Sequence, residues 1–294
     1  LRTGAPEPFV YDGSSGEVRR LDEETVSESR YLGRFAPSPT GPLHFGSLVA
    51  AVASYVDARA HGGQWLVRIE DVDEPRTVEG AASEILRCLE SYGLLWDGEV
   101  VYQNQRTHLY REALMRLGSR VFPCGCSRNP GLYPGSCRHG LPPGMSAHAW
   151  RLRVDDEVIE FNDRAMGHRV DRLAETTGDF VLLRADGFFA YQLAVVVDDA
   201  AQGVTEIVRD EDLLESTGRQ ILLRRLLAYP EVRHMHIPVV RGADGTKLSK
   251  QTFAPPVPHG SLEVLTEVLR FLRMCPPEGS LSETLQWASQ QSLT

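Results

Sequence analysis

The chain has 294 residues and a mass of 32.7 kDa, room for one large domain or two modest ones around a real core. Hydrophobic residues make up 42% and charged residues 24%, a balance that excludes a disordered, collagen-like or fibrous chain. The formal charge of −9, from 31 basic and 40 acidic residues, gives no bulk attraction for nucleic acid, so any such partner needs a local basic surface.

No apolar run approaches the ~20 residues of a membrane span. Apolar runs such as Leu193–Val197 are of strand or core length. No basic segment precedes an apolar one near the N-terminus, so no secretory leader and no membrane partner are expected. The five cysteines are an odd number, which argues against a disulfide framework. Three of them fall within positions 124–137, a clustering that points to metal in a reducing cytoplasm.

Residues 1–30 carry Gly4, Pro6, Pro8, Gly13, Ser14, Ser15 and Gly16 without a helical or strand period, and a flexible extension is expected. Tyr31–Ala36 reads as a short strand. Pro37, Pro39, Gly41 and Pro42 then make a loop that no helix could occupy. A helix is expected from about Leu43 to Ala60, a strand over Gln64–Glu70, and helices over Thr77–Tyr92 and Thr107–Leu117. Strand and helix alternating at this spacing predict βαβ units and a parallel sheet, hence an α/β fold. Residues 31–120 are read as its first half. Residues 121–175 break the rhythm with the cysteine cluster, Pro142-Pro143-Gly144 and the alternating run Ala149–Val154, and are read as an insertion with a small fold of its own. Residues 176–294 are read as the second half. Within it, Phe180–Val197 is expected to form strands turning at Asp186-Gly187. Thr217–Ala228 should be a helix, His236–Val240 a strand, and 261–273 an amphipathic helix.

Two stretches carry chemistry. In Pro37–Ser47 a Pro/Gly loop leads into a helix start, whose free N–H groups and partial positive charge attract phosphate. His44 in its first turn can donate to a phosphate oxygen, and Gly46 would let a purine lie close to the backbone. An isolated His-x-Gly is more often an ordinary loop. In Gly245–Gln251, Lys247 and Lys250 lie three apart and could neutralise charge that develops on a polyphosphate. Paired lysines alone usually just solvate a surface. No Gly-x4-Gly-Lys-Ser/Thr loop occurs.

Taken together and in order, 203 positions apart, these stretches resemble the "HIGH" and "KMSKS" signatures of class I aminoacyl-tRNA synthetases. Gly33-Arg-Phe-Ala-Pro-Ser-Pro-Thr-Gly41, Arg68-Ile-Glu-Asp-Val-Asp73, Phe189–Asp199, Val204–Arg209 and Lys247-Leu-Ser-Lys250 resemble the glutamyl branch. The resemblance runs over about residues 31–290. Only 44 residues follow Lys250, too few for an anticodon-binding domain. With Cys124-Gly-Cys126, Tyr133 and Cys137, the chain is similar to the glutamyl-queuosine tRNA(Asp) synthetases.

That resemblance implies a Rossmann-like catalytic domain with a zinc-bearing insertion and no anticodon-binding domain. It implies activation of L-glutamate with ATP and Mg2+, then transfer of glutamate to queuosine in the anticodon of tRNA(Asp). His44, Lys247 and Lys250 are the implied catalytic residues, and His44, Gly46 and Lys250 the implied ATP contacts. For glutamate, Arg34 and Arg209 can each pair with a carboxylate, Glu70 can hold the ammonium, and Tyr191 adds a hydroxyl and a flat wall. Phe35, Ala36, Pro37 and Ser38 complete the cradle. One structural zinc is implied on Cys124, Cys126, Tyr133 and Cys137. His139 competes chemically for the fourth place, since imidazole binds zinc better than a phenol. Cys88 and Cys275 are read as packing residues. Arg116, Arg120, Arg128, Arg138 and His139, with Arg219, Arg224 and Arg225, are the candidate RNA contacts of an expected monomer. Asp210 stands where the family often has glycine, and so adds a carboxylate beside Arg209. Two other readings stay open: a truncated glutamyl-tRNA synthetase-like paralogue charging a tRNA 3′ end, and a non-catalytic sensor. A small-molecule nucleotidylyltransferase would want a second histidine where Ser47 stands.

Overall fold

A computed structural model describes residues 9–11, 18–20, 31–126, 132–242 and 255–293. Residues Leu1–Arg30 and Tyr31–Thr294 form two separate compact units. In the first, where no regular structure was expected, β1 (Phe9–Tyr11) and β2 (Val18–Arg20) pair antiparallel with Phe9 opposite Arg20.

The second unit opens with β3 (Leu32–Phe35), α1 (Phe45–Ala60), β4 (Gln64–Ile69), α2 (Ala81–Ser91), β5 (Val101–Tyr102) and α3 (Thr107–Arg116). β3, β4 and β5 are parallel neighbours, with Leu32 opposite Gln64 and Arg68 opposite Val101. Ten of the sixteen residues of α1 are buried. The helix lies between β3 and β11 on one side and α7 on the other. Small and β-branched residues (Ala51, Val52, Ala53, Val56) let it pack closely on the sheet. Covered strands lose the in–out alternation of an exposed sheet, and at the end of β4 the consecutive residues Val67, Arg68 and Ile69 are all fully buried.

The middle of the unit contains β6 (Val121–Cys124), β7 (Ala149–Leu152), β8 (Val158–Asp163), β9 (Gly167–Arg172), α4 (Leu173–Thr176) and β10 (Phe180–Leu183). β6, β7 and β10 make an antiparallel sheet. Then follow α5 (Tyr191–Ala201), β11 (Glu206–Asp210), α6 (Leu214–Leu226), β12 (Arg233–Ile237), α7 (Leu262–Phe271) and α8 (Leu281–Ala288). β11 and β12 are parallel, and β12 is parallel to β8 where His234 meets Asp163. The β8–β9 hairpin therefore extends the β11–β12 sheet instead of folding apart from it. Thr205 N–H donates to Leu32 O at 2.9 Å and Leu32 N–H to Thr205 Oγ1 at 2.9 Å, which joins the starts of β3 and β11. The order reverses here, with β4 and β5 on one side and β12 on the other. Open α/β sheets bind ligands at such a reversal, beyond the strand C-termini.

One expectation is corrected. Phe180–Val197 is not a hairpin of two strands. The turn exists, since Gly187 N–H donates to Arg184 O at 3.1 Å and Leu183 bridges Phe189, but the chain then enters α5. Leu193–Val197 are all buried. A short run that is apolar on every side has no period to separate helix from strand. β12 begins three residues before the predicted strand, because His234 and His236, both polar, are core residues of it.

The tip of the β8–β9 hairpin is locked to α1. Arg164 donates to Asp57 Oδ2 at 2.6 Å and Oδ1 at 2.8 Å, and the Asp57 side chain is fully buried. Removing one member of a buried pair strands the other charge, at a typical cost of 3–5 kcal/mol. Arg164→Ala is therefore expected to lower the unfolding free energy by about 3 kcal/mol, read from urea titration by circular dichroism. A loss below about 1 kcal/mol, the range of a surface pair, would mean that Tyr31, which also donates to Asp57, compensates the carboxylate alone.

Candidate active site

At the C-terminal ends of β3 and β11 lies a cleft of about 380 Å³. Arg34, Phe35, Ala36, Pro37 and Ser38 reach it from β3 and the following loop, His44 from the start of α1, Glu70 from the end of β4, Tyr191 from the first turn of α5, and Arg209 from β11. Nine residues singled out in the sequence thus meet in one place. Gly46 is buried in the first turn of α1 and does not line the cleft. Lys247 and Lys250 lie outside the described residues. The chain beyond them returns to the cleft: Val257 N–H donates to Leu43 O at 3.0 Å and Pro256 bridges His44.

His44 is the N-cap of α1. Its Nδ1 accepts the Ser47 N–H at 3.3 Å, so the ring proton is on Nε2, 2.9 Å from Ser47 Oγ. The imidazole is thereby held at the helix N-terminus with its donor on the side of the hydroxyl.

The charges of the cleft are built in two ways. Arg34 donates through Nε and Nη2 to the two oxygens of Asp199, at 3.0 and 3.4 Å. Arg68 approaches Asp199 at 2.8 Å and Glu70 at 3.3 Å. Burial raises the Asp199 carboxyl, but Arg34 and Arg68 outweigh it and hold the group well below the usual range. Arg209 instead meets only neutral acceptors among the described residues. Its Nη1 donates to Gln220 Oε1 at 2.7 Å, Nη2 to Thr217 Oγ1 at 2.8 Å, and Nε to His236 Nε2 at 3.0 Å. Burial raises Tyr191 above the ordinary phenol value. The cleft as a whole offers cations against carboxylates, and a carboxylate and a phenol against an ammonium.

Sequence reasoning assigned no role to Asp199, Arg68 or His236. The first two stand inside the stretches Phe189–Asp199 and Arg68–Asp73, which was the available signal. Asp210 lines the cleft beside Arg209.

A second cluster joins β6 to the segment that follows. The Sγ atoms of Cys124, Cys126 and Cys137 all lie within 4.8 Å of one another. Tyr133 Oη is 3.6 Å from Cys124 Sγ and 3.9 Å from Cys126 Sγ. Burial pushes the Cys124 thiol up, yet hydrogen bonds from the Cys126 N–H, Tyr133 and Arg151 bring it down to about 7. Three thiols at this spacing suit a tetrahedral thiophilic ion, whose bonds to sulfur are about 2.3 Å. His139 is exposed and outside the cluster. Arg128 lies outside the described residues. Arg224, predicted as an RNA contact, is instead 4% exposed and donates through Nε to Pro230 O at 2.8 Å. Helical spacing alone could not tell its inward face from an outward one. Arg225 beside it is exposed.

Residues 32–126 and 144–262 match the catalytic domain of class I tRNA synthetases (E and Q). Over 276 residues the chain is 56% identical to the Glutamyl-Q tRNA(Asp) synthetase of Aromatoleum aromaticum, covering 88% of this chain and 87% of that one. The enzyme of the same name from Janthinobacterium sp. is 54% identical over 87% of this chain and 94% of its own. The chain belongs to the glutamyl-Q tRNA(Asp) synthetase family. Among solved structures, a glutamate tRNA ligase from Elizabethkingia meningosepticum in complex with its amino acid superposes with a TM-score of 0.68 at 26% identity. The match covers 78% of this chain and 54% of that ligase. Glutamate-tRNA synthetase from Elizabethkingia anophelis shares the fold, with a TM-score of 0.73 over 90% of this chain and 67% of that one, at 22% identity. This family member is thus a class I synthetase-like ligase. Among its described residues no helix is long and apolar enough to cross a membrane.

Glu70 supplies a pH test of the cleft. Burial raises its carboxyl to about 7, against the pull of Arg68 and Arg34. A carboxyl raised on folding holds its proton more tightly when folded. Its stability contribution is complete below the unfolded value of about 4.3 and is lost as pH rises through about 7. Thermal melts across that window should show the unaltered chain losing stability relative to Glu70→Gln. Parallel curves would mean that Glu70 is ionised throughout.

Proposed function

We propose that the chain activates glutamate with ATP and transfers it to queuosine in the anticodon of tRNA(Asp). The observation that carries this reading is the convergence of Arg34, Glu70, Tyr191 and Arg209 on one cleft at the strand-order reversal. Glutamate has two carboxylates and one ammonium, and the cleft presents matching groups. The names of the relatives extend the reading to the tRNA.

In the first step the α-carboxylate oxygen attacks the α-phosphorus of ATP. The bond to the bridging oxygen breaks, and pyrophosphate leaves. Arg209 and Arg34 hold the carboxylates and Glu70 the ammonium, which fixes the attacking oxygen. His44 Nε2–H and the N-terminus of α1 meet phosphate oxygens. Lys247 and Lys250 are assigned to the charge that builds on the leaving pyrophosphate. Mg2+ accompanying ATP supplies further neutralisation of the phosphates. In the second step a hydroxyl of the queuosine cyclopentenediol attacks the carbonyl carbon of the adenylate, AMP leaves with the bonding pair, and the hydroxyl proton is released to solvent. Exposed basic residues such as Arg225 are assigned to the RNA backbone, where they position the substrate while the cleft reads the modified base.

The test is labelled glutamate with ATP and tRNA(Asp) that carries or lacks queuosine. Label is expected on the queuosine-containing tRNA alone. Equal labelling of both would replace this reading with 3′-end charging. Pyrophosphate exchange without any transfer would leave activation only.

For the cysteine cluster we propose one zinc held by Cys124, Cys126, Cys137 and Tyr133. Four protein ligands leave no open position, so the ion braces the fold of the segment after β6 and takes no part in the reaction. Elemental analysis should find one zinc per chain. Cys137→Ser should lose it and His139→Ala keep it. Zinc retained by Tyr133→Phe but lost in His139→Ala would move the fourth ligand to the histidine.

A further inference from the structure

We propose that Asp163 and His236 form a positioning pair for Arg209, through which the β8–β9 hairpin sets the affinity of the cleft for glutamate. The inference rests on the reading above that the cleft binds this amino acid. Arg209 is 5% exposed, and four of its N–H directions are taken by protein acceptors. Besides Gln220, Thr217 and His236, Nη2 reaches Leu213 O at 3.3 Å. A guanidinium so held has one plane, and one Nη1 N–H left over among the described partners.

The bond from Arg209 Nε decides the state of His236. A guanidinium N–H only donates, so His236 Nε2 presents its lone pair, and the ring proton is on Nδ1. That proton lies toward Asp163 Oδ2, which is 2.5 Å from Nδ1. Asp163 is 3% exposed, and its Oδ1 accepts the N–H groups of Met166 at 2.9 Å, Ala165 at 3.0 Å and His236 at 3.2 Å. With both oxygens engaged, the carboxylate cannot turn away. The opposite tautomer would set an N–H against the N–H of Arg209. Asp163 thus orients the imidazole, and the imidazole orients the guanidinium.

The chain could have placed a carboxylate directly on Arg209, as it does on Arg34. It places a neutral ring there, with the carboxylate one residue further out. Arg209 is fixed without a direct ion pair, and its charge stays available to the cleft. Asp163 belongs to β8, which meets β12 at the Asp163–His234 pair. A hairpin at the edge of the sheet, beyond β12, therefore reaches the amino-acid site.

Glutamate-dependent ATP–pyrophosphate exchange tests this. His236→Leu is expected to raise KM for glutamate at least tenfold, with KM for ATP within twofold and kcat falling less than KM rises. His236→Gln can accept from Arg209 and should restore most of the affinity. If His236→Leu does not fold, Asp163→Asn carries the test. It keeps the shape but can present an N–H to Nδ1, and a threefold or larger rise in glutamate KM is expected. A folded variant with glutamate KM within twofold of the unaltered chain would overturn the proposal. So would a parallel rise in KM for ATP, or a His236→Gln variant as impaired as His236→Leu. No glutamate-dependent exchange by the unaltered chain would overturn the function and the pair together. Exchange that is normal in the unaltered chain and unmoved in the variants would overturn the pair alone.

Discussion

The Asp199 carboxylate lies at 2% side-chain exposure between two guanidinium groups, Arg34 at 3.0 Å and Arg68 at 2.8 Å. It comes from α5, while its partners come from β3 and β4. Isolated charges are very costly to bury, so none of these three could occupy its place without the others. Their mutual compensation lets two strand ends and a helix meet at a polar spot in an otherwise apolar core. The neighbouring Asp198 does the same one layer away, accepting from Gln103 at 2.9 Å, Tyr110 at 2.7 Å and Arg106 at 2.6 Å. α5 is thus apolar along Leu193–Val197 and then carries two buried acids, Asp199 holding β3 and β4 and Asp198 holding Gln103, Arg106 and Tyr110.

With Asp199 shared in this way, Arg34 and Arg209 are not equivalent, although the sequence presents them alike. Arg34 is half of a bidentate pair, and its charge is offset before any ligand arrives. Arg209 has neutral acceptors and is the stronger attractor for a carboxylate. Burial lowers its own affinity for the proton, but an arginine has so much in reserve that it stays charged. The two arginines thus give the cleft a polarity, with the less compensated end at β11.

Much of this was legible from residues. Arg34, Glu70, Tyr191 and Arg209 stand in stretches with recognisable order, and the Pro37–Pro42 loop could only be a break between strand and helix. What was not legible has physical causes. Leu193–Val197 is buried on all sides, so its helical period is invisible. Asp163 and His236 are 73 positions apart, and only the β8–β12 pairing brings them together. Arg224 sits among basic neighbours on a helix, and whether it faces water depends on where β12 and the loop at Pro230 pack. The last two failures concern long-range contacts that local pattern does not encode.

The place of residues 121–175 follows from the same contacts. An insertion that folded apart could be lengthened or lost with little effect on the sheet. Here its strands divide between two sheets: β6 pairs with β7 and β7 with β10, while β8 joins β12. At the hairpin tip, Arg164 pairs with Asp57 of α1 and Asp163 with His236 of β12. Adjacent residues of opposite charge thus hold two different elements, Arg164 the helix that His44 caps and Asp163 the strand beside Arg209. A shift of the β8–β12 register by one residue would exchange the faces of Asp163 and its neighbours, breaking both attachments at once. The single pairing at Asp163 and His234 therefore sets the face from which Asp163 meets His236.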